Sequence, residues 1–335
     1  NGSFDVHRMV FLTGYKFTDK LSFVTELEIE HIKEVFIEQA FIDYRLHEFV
    51  HFRAGLMLIP MGIINEYHEP VTFNGVERPN IDKYLIPTTW REIGAGFSGT
   101  IPEIGFRYQA YFVNGLSSFD NDASLSGSSG FRSGRQKGAQ TTFSHPNATL
   151  RLEYFGLSKL KIGLSGYIGK TQSTLYDEIG VTENGTLARA DSSVVGMGMM
   201  VADVRYKNKG FEARGQYVYA NIANSSQYNA MFGTNVGSAM QGYYVEAGYD
   251  LLRFMKKSTD KKLVAFCRYE NYNTHHKVSG ELTQNKSYNR TDITTGLTFH
   301  LDQGVALKAD FQQFRNELRG SSIRNQINFG VGVWF

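Results

Sequence analysis

The nine residues INFGVGVWF, residues 327–335, have an apolar side chain at every second position from Ile327 to Phe335. A period of two is the repeat of a β-strand, whose successive side chains point to opposite faces of a sheet. Chain ends in water tend to fray, so a strand at this position requires partners that hold it. The pattern therefore predicts a strand over residues 321–335 that pairs within a larger sheet.

The same alternation recurs along the chain in segments of about ten residues. We predict fifteen strands, at residues 5–17, 21–30, 36–46, 50–58, 90–100, 104–115, 149–156, 160–171, 193–207, 211–220, 240–254, 262–273, 287–301, 305–316 and 321–335. Short connections between them carry Asp, Asn and Gly, which tight hairpin turns require. Long connections cover residues 59–89, 116–148, 172–192 and 221–239.

Short turns at one end and long loops at the other are typical of outer-membrane barrels. A soluble β-sandwich also alternates polar and apolar faces, so alternation alone does not decide between the two. Aromatic side chains near strand ends, such as Tyr15, Tyr154 and Phe211, favour the membrane, because amphipathic rings prefer the interface. We therefore predict an all-β fold, a transmembrane antiparallel β-barrel that spans residues 1–335 as a single domain.

The strand count of fifteen is odd, whereas bacterial barrels made from one chain have an even number. We expect about sixteen strands in all, with fifteen in this sequence and the first strand missing before residue 1. A divided strand at residues 31–35, or a further strand within 116–148, are the alternatives.

Composition excludes several other classes of protein. The net charge is only +2 and no basic stripe is evident, so a nucleic-acid partner is not expected. No apolar run approaches the roughly 20 residues of a membrane-spanning helix. The single cysteine, Cys267, cannot form an internal disulfide and leaves the redox compartment undetermined.

Three segments resemble the bacterial outer-membrane porins grouped with the phosphate-selective porins O and P. They are FDVHRMVFLTGYKFTDKLSFVTELEIEH (residues 4–31), FIEQAFIDYRL (36–46) and FRAGLMLIPMGIINEYHEPVTFNGVERPNIDKYLIPTTWREIGAGFSG (52–99). The resemblance implies a sixteen-stranded porin in the outer membrane of a Gram-negative bacterium. It also implies outer-membrane lipid, lipopolysaccharide and the barrel assembly machinery as partners, with Phe335 as the membrane-insertion signal.

If apolar faces meet lipid, the opposite faces line the lumen, and their acids and bases are about equal in number. A strong anion filter needs charges of one sign. Phosphate selectivity is therefore not carried over, and cross-strand ion pairs are expected instead. Clustering into a local basic patch is left open. The predicted pore-lining residues are Arg8, Arg53, Glu66, His68, Glu69, Glu77, Arg78, Glu92, Arg107, Arg151, Arg214, Arg268 and Arg290.

Two long connections differ in composition. Residues 59–89 mix apolar anchors with charges and are predicted to fold into the lumen as a constriction loop; an external flap is the alternative. Residues 116–148 are rich in Gly and Ser, which predicts a mobile extracellular loop. Its Arg132, Arg135 and Lys137 either hold anionic surface sugars or are simply solvated.

Metal binding and catalysis receive little support. Glu66, His68 and Glu69 are weak candidates for a divalent ion, as is the pair His275–His276, because no fixed ligand spacing accompanies them. Ser144 and His145 are adjacent and cannot face each other as a catalytic pair. We predict no metal, no cofactor, no catalytic residues and no enzyme activity.

The predicted function is that of a porin through which small anionic or polar solutes and ions diffuse passively. The lumen would be aqueous and narrowed by residues 59–89. The alternative is a structural barrel subunit of a larger outer-membrane complex, with a plugged lumen. Assembly as a homotrimer or with other outer-membrane proteins is left open.

Overall fold

The computed structural model describes residues 2–255 and 260–334. In these residues the strands are β1 (Arg8–Lys16), β2 (Leu21–Glu30), β3 (Glu34–His47), β4 (Val50–Leu58), β5 (Arg91–Ile101), β6 (Phe106–Val113), β7 (Ser117–Asp120), β8 (Asp122–Ala123), β9 (Asn147–Tyr154), β10 (Leu160–Lys170), β11 (Gln172–Ser173), β12 (Gly196–Asn208), β13 (Phe211–Ala223), β14 (Ala239–Asp250), β15 (Lys262–Lys277), β16 (Asn289–Asp302), β17 (Val305–Asn316) and β18 (Arg324–Val333). The short α-helices are α1 (Ile81–Tyr84), α2 (Leu187–Ser192) and α3 (Ser225–Phe232).

Fifteen of these strands form one sheet whose order follows the sequence, and every neighbouring pair in it is antiparallel. The small strands β7, β8 and β11 form a separate sheet in the long connections. No helix in the described part of the chain is long and apolar enough to cross a membrane. The prediction of fifteen antiparallel strands in an all-β fold is confirmed, with strand ends that differ by a few residues.

Turn chemistry explains the short connections. Lys209 and Gly210 join β12 to β13 with φ values of 47° and 87°, which matches the type I′ turn of a two-residue hairpin. At the opposite end of the barrel, His31 and Ile32 also have positive φ and turn the chain from β2 into β3. Residues 31–35 therefore do not divide a strand.

The two faces of the sheet differ as lipid and water would require. Ile168, Phe329 and Val331 point outward and are 68%, 78% and 71% exposed, respectively. Inward-facing positions of the sheet include polar and charged side chains that are buried, such as Gln216 on β13. Soluble proteins rarely expose continuous apolar surfaces of this kind, so the outward face fits a hydrocarbon surrounding.

The sheet begins at β1 and ends at β18, and among the described residues these two strands are not paired with each other. Residues 116–148 contribute only β7, β8 and the first residues of β9, so they add no further strand to the large sheet. The expected sixteenth strand stays a prediction. Phe335, the predicted insertion signal, lies outside the described residues; the preceding Trp334 donates its backbone N–H to the Gly304 carbonyl at 2.6 Å.

Candidate functional site

Residues 59–90, here called the lumen loop, connect β4 to β5 and form hydrogen bonds with side chains of β13, β15 and β17. The base of the loop is closed by the Ile59 N–H, which donates to the Trp90 carbonyl at 2.9 Å. The Asn65 side-chain amide donates to the backbone carbonyls of Ile59 and Trp90, at 2.7 and 2.9 Å, respectively. Its oxygen accepts from the Trp90 N–H at 2.8 Å. One buried amide therefore fixes the direction in which the loop leaves the wall.

The far side of the lumen loop is bound to the opposite wall by charged side chains. The backbone N–H of Val76 donates to Asp310 at 2.5 Å, and that of Ile81 donates to Glu270 at 3.2 Å. The Lys308 ammonium donates to the carbonyls of Phe73 and Gly75, both at 2.7 Å. These bonds satisfy backbone groups that have no partner within the loop, which makes the inserted position favourable.

Glycines of β18 leave room for the lumen loop. A Cβ atom added to Gly332 would lie 2.8 Å from Cβ of Pro70, and one added to Gly330 would lie 3.0 Å from Cγ1 of Val76. Both glycines face inward in the alternation of this strand. The GVG stretch at the end of the sequence is therefore a docking surface for the loop.

An apolar core fills one sector of the lumen. It joins lumen-loop side chains to side chains of β3, β4, β6, β10 and β12–β15 and to the long connections. Among its buried members are Ile59, Met61, Ile64, Trp90, Met199, Val218, Ile222 and Tyr244. Burial of this kind stabilises the loop, but it also excludes water from that sector.

Lumen-facing charges in the wall are mostly paired across strands. Arg53 donates to Asp43 at 2.7 Å, and Arg151 donates to Asp203 at 2.8 Å. The Arg268 guanidinium lies between Glu246 and Glu270, with contacts of 3.3 and 3.0 Å. Low local polarity makes an unpaired charge costly, so these pairs account for the near balance of acids and bases.

The structure distributes the predicted pore-lining residues among four places. Those that line a cavity of about 600 Å³ are Arg8, Glu77, Arg78 and Arg290. Those in two smaller cavities nearer the short turns are Arg53, Glu66, Arg107 and Arg214. Those that face inward but are buried in contacts are His68, Glu92, Arg151 and Arg268. Glu69 is partly buried in the lumen loop and lines none of these cavities.

The weak metal candidates are not brought together. Glu66 accepts a hydrogen bond from Gln109 at 2.6 Å, whereas His68 is buried with its Nε2 3.8 Å from a Glu38 oxygen. Burial lowers the pKa of His68 to about 3, so this imidazole is neutral at pH 7. The pair His275–His276 follows the predicted strand at residues 262–273, which would place it in a loop; it lies instead in β15, because the strand continues to Lys277.

The cavity of about 600 Å³, here called the basic cavity, lies at the long-loop end of the lumen. Its charged lining is dominated by cations. The basic residues are Arg8, Arg78, Lys83, Arg91, Arg132, Arg135, Lys137, Arg290, Arg315 and Arg324, and the acids are Glu30, Glu77, Asp82 and Asp292. The near-equal numbers of acids and bases in the lumen left open whether basic residues cluster locally. The structure contains such a basic patch.

Three of these cations come from the Gly/Ser-rich connection and were not predicted to line the pore. Arg132 and Arg135 donate to the Thr88 carbonyl at 2.7 and 3.0 Å, and the Lys137 ammonium lies 4.3 Å from the ring centroid of Phe36. Across the described residues they form no ion pair with a carboxylate. Burial and the Arg132 guanidinium lower the pKa of Arg135 to about 10, so it remains cationic at pH 7.

The connection that carries them is folded against the lumen loop. Leu116, Leu125 and Phe131 are buried, and the Phe131 N–H donates to the Tyr84 carbonyl at 3.3 Å. Phe131, one residue before Arg132, was the signal in the sequence that this segment could be anchored. Mobility of residues 116–148 stays a prediction.

Aromatic rings contact two further cations of the basic cavity, Arg290 and Arg324. The guanidinium carbon of Arg290 lies 4.5 Å from the ring centroid of Tyr84 and 5.5 Å from that of Tyr288. The guanidinium carbon of Arg324 lies 4.3 Å from the ring centroid of Phe314. A cation held by a ring face keeps its positive charge uncompensated, unlike one held by a carboxylate.

Structural comparison identifies the fold. The chain superposes on an outer-membrane protein OmpT variant of Vibrio cholerae with a TM-score of 0.58 at 11% identity, covering 97% of this chain and 88% of the other. It superposes on the anion-selective porin from Comamonas acidovorans with a TM-score of 0.58 at 11% identity, covering 98% and 89%. The chain has the fold of outer-membrane porins.

Further comparisons extend the porin fold without assigning a function. The channel DcaP of Acinetobacter baumannii gives a TM-score of 0.56 at 8% identity, over 98% of this chain and 84% of the other. An uncharacterized protein of Aquifex aeolicus is 29% identical over 324 residues, which cover 92% of this chain and 70% of the relative. No family model matches the sequence.

Proposed function

We propose that this porin-fold barrel is a channel of a bacterial outer membrane through which small hydrophilic solutes pass, with a preference for anions. The observation that carries the proposal is the basic cavity, in which ten basic and four acidic side chains line about 600 Å³ at one end of the lumen. The proposed activity is passive and involves no chemical step, so no catalytic residue is assigned.

The electrostatic argument depends on which charges are already compensated. Wall residues such as Arg151 and Arg268 are held by carboxylates, whereas Arg132, Arg135 and Lys137 contact a carbonyl or a ring. Cations without a carboxylate partner raise the potential of a cleft with walls of low polarity. The charge that lines a constriction sets which ions enter it, so this cavity favours anions.

The lumen loop supplies the proposed constriction. It crosses from β4 and β5 to β17, and its charged residues Glu77 and Arg78 face the basic cavity. A loop that forms several hydrogen bonds with the opposite wall occupies part of the lumen cross-section that water would otherwise fill. The free cross-section, and hence the conductance, is expected to depend on this loop.

Conductance of the purified chain in planar bilayers tests the proposal, with ion substitution to obtain the ratio of anion to cation permeability. We expect a conducting barrel with a ratio above one. The double reversal Arg132→Glu/Arg135→Glu should lower that ratio severalfold, and Lys20→Glu in an exposed short turn should leave it unchanged. A reversal potential that does not move in the double variant would contradict the proposed anion path.

A second candidate function is favoured by the apolar core inside the lumen. Because this core excludes water from one sector, the chain could act as a structural barrel of a larger outer-membrane assembly with its lumen closed. A folded barrel without conductance at any voltage, which migrates with other outer-membrane proteins after mild detergent extraction, would support this candidate. A conducting monomer or homotrimer would support the channel.

A further inference from the structure

Three potential metal ligands converge at the long-loop end of β1, at the rim of the basic cavity. Oδ2 of Asp5 lies 2.6 Å from Nδ1 of His31 and 3.4 Å from Nδ1 of His7. One ligand atom from each residue lies within 4.8 Å of the other two. The three side chains are 41–58% exposed, so a hydrated ion can reach them from solvent.

The backbone explains why residues so far apart in sequence meet. β1 pairs with β2 in a register that places Arg8 opposite Glu30, which brings the residues before β1 beside the turn after β2. The His31 N–H donates to the His7 carbonyl at 3.3 Å, and the two imidazole rings meet edge to face at 5.3 Å. The pairing of the sheet therefore holds the ligands in place before any ion binds.

We propose that Asp5, His7 and His31 form a binding site for a divalent transition-metal ion of the class that prefers imidazole, such as Zn²⁺. Two imidazole nitrogens and one carboxylate oxygen are a common ligand set for Zn²⁺, with metal–ligand distances of about 2.0–2.2 Å. In a tetrahedral site such ligands lie roughly 3.3 Å apart. The Asp5–His7 spacing of 3.4 Å is close to this, whereas the 2.6 Å contact between Asp5 and Nδ1 of His31 is a hydrogen bond that must open when an ion binds. Water supplies the fourth ligand.

The surroundings of the site permit a bound cation. The nearest arginine in sequence, Arg8, is paired with Glu28 at 3.0 Å, so its charge is compensated. Glu30 on β2 and Glu34 on β3 lie opposite each other in the strand register beside the turn, and both add negative charge near the site. Hard cations such as Ca²⁺ and Mg²⁺ are disfavoured, since they require oxygen ligands and a higher coordination number.

Zn²⁺ binding to the full chain in detergent, measured by titration calorimetry, tests the proposal. We expect one high-affinity ion for each chain, with affinity reduced at least tenfold in His7→Ala and in His31→Gln, and reduced in Asp5→Asn. His47→Ala, in the short turn after β3, is the matched control and should bind as the unaltered chain does. Cu²⁺ as a paramagnetic probe should show hyperfine coupling to two imidazole nitrogens, and to one in either histidine variant.

Trypsin cleavage at Lys33 gives a second measurement, which reports where the ion binds and not how tightly it binds. A bound ion links the residues before β1 to the turn that contains Lys33, so Zn²⁺ should slow this cleavage in the unaltered chain and not in Asp5→Asn. Binding that persists in all three variants, that is lost equally in His47→Ala, or that occurs as tightly with Ca²⁺ would overturn the proposal. None of these measurements depends on whether the barrel conducts.

Discussion

Arginines that face the lumen differ in what surrounds them, and this decides which of them a solute can meet. Arg268 is buried between two glutamates, whereas Arg78 is half-buried and lines the basic cavity. Alternation along β15 places Arg268 on the inner face, whereas Arg78 lies in the lumen loop, to which no strand pattern applies. Tertiary contacts, and above all those with carboxylates, separate structural cations from accessible ones.

Charge reversal at Arg78 tests whether an accessible arginine of the basic cavity influences which ions pass. Arg78→Glu replaces one cation of the basic cavity by an anion and should shift the ratio of anion to cation permeability toward cations, since the lining charge sets ion entry. Reversal potentials in a salt gradient provide the measurement, with Lys20→Glu as the control. An unchanged potential would remove Arg78 from the permeation path.

Removal of the buried guanidinium of Arg268 tests whether an arginine held between carboxylates stabilises the barrel wall. Arg268→Met leaves Glu246 and Glu270 with less compensation, and loss of one partner of a buried pair costs about 3–5 kcal/mol. We expect the free energy of unfolding, from urea titrations of the folded barrel in detergent, to fall by about that amount. Arg253→Met, at a side chain that is 54% exposed, should change it by less than about 0.5 kcal/mol; equal effects would show that the buried network is not what stabilises this wall.

At the scale of elements, the lumen loop and β18 are matched in shape. The inner face of β18 carries Gly330 and Gly332 where Val76 and Pro70 of the loop approach. Neither glycine has a positive φ, so it is the space beside the strand and not the backbone conformation that requires them. A strand pattern predicts which face these glycines occupy, but not the loop that fills the space.

A single methyl group should disturb this contact. In Gly332→Ala the new Cβ would lie 2.8 Å from Cβ of Pro70, so the loop must shift, and overpacking of this kind costs about 1–3 kcal/mol. We expect faster proteolysis within the lumen loop. Gly198→Ala is the matched control, because its Cβ would have nothing within 4 Å; equal proteolysis of the two variants would contradict the docking role of Gly332.

At the scale of the whole molecule, the lumen is divided between an apolar core and a basic cavity. The core fixes the lumen loop in place, and the cavity lies between that loop, the Gly/Ser-rich connection and the strands at both ends of the sheet. The two proposed functions differ in whether a continuous water path passes this loop.

Shortening the lumen loop tests that difference. Replacement of residues 62–88 by a short Gly/Ser linker should raise single-channel conductance severalfold, because the loop occupies the lumen cross-section. A matched replacement of residues 179–184 in the connection after β11, away from the basic cavity, should leave conductance unchanged. If the shortened chain conducts no better than the unaltered one, the lumen loop is not the constriction.

Alternation over segments of about ten residues, from FDVHRMVFLTGYK to INFGVGVWF, determined the fifteen strands and their two faces, because both follow from local backbone geometry. The alternation of short and long connections and the aromatic side chains near strand ends favoured the barrel, and the resemblance of three segments implied the porin type. Only the tertiary structure decided which charges are free. Both Arg268 and Arg78 were predicted to line the pore, yet one is buried between two glutamates and the other faces a cavity. Likewise Arg132 and Arg135 reach the lumen only because Phe131 anchors their loop beside Tyr84. Such pairings join segments far apart in sequence, and no local pattern encodes the distance between them.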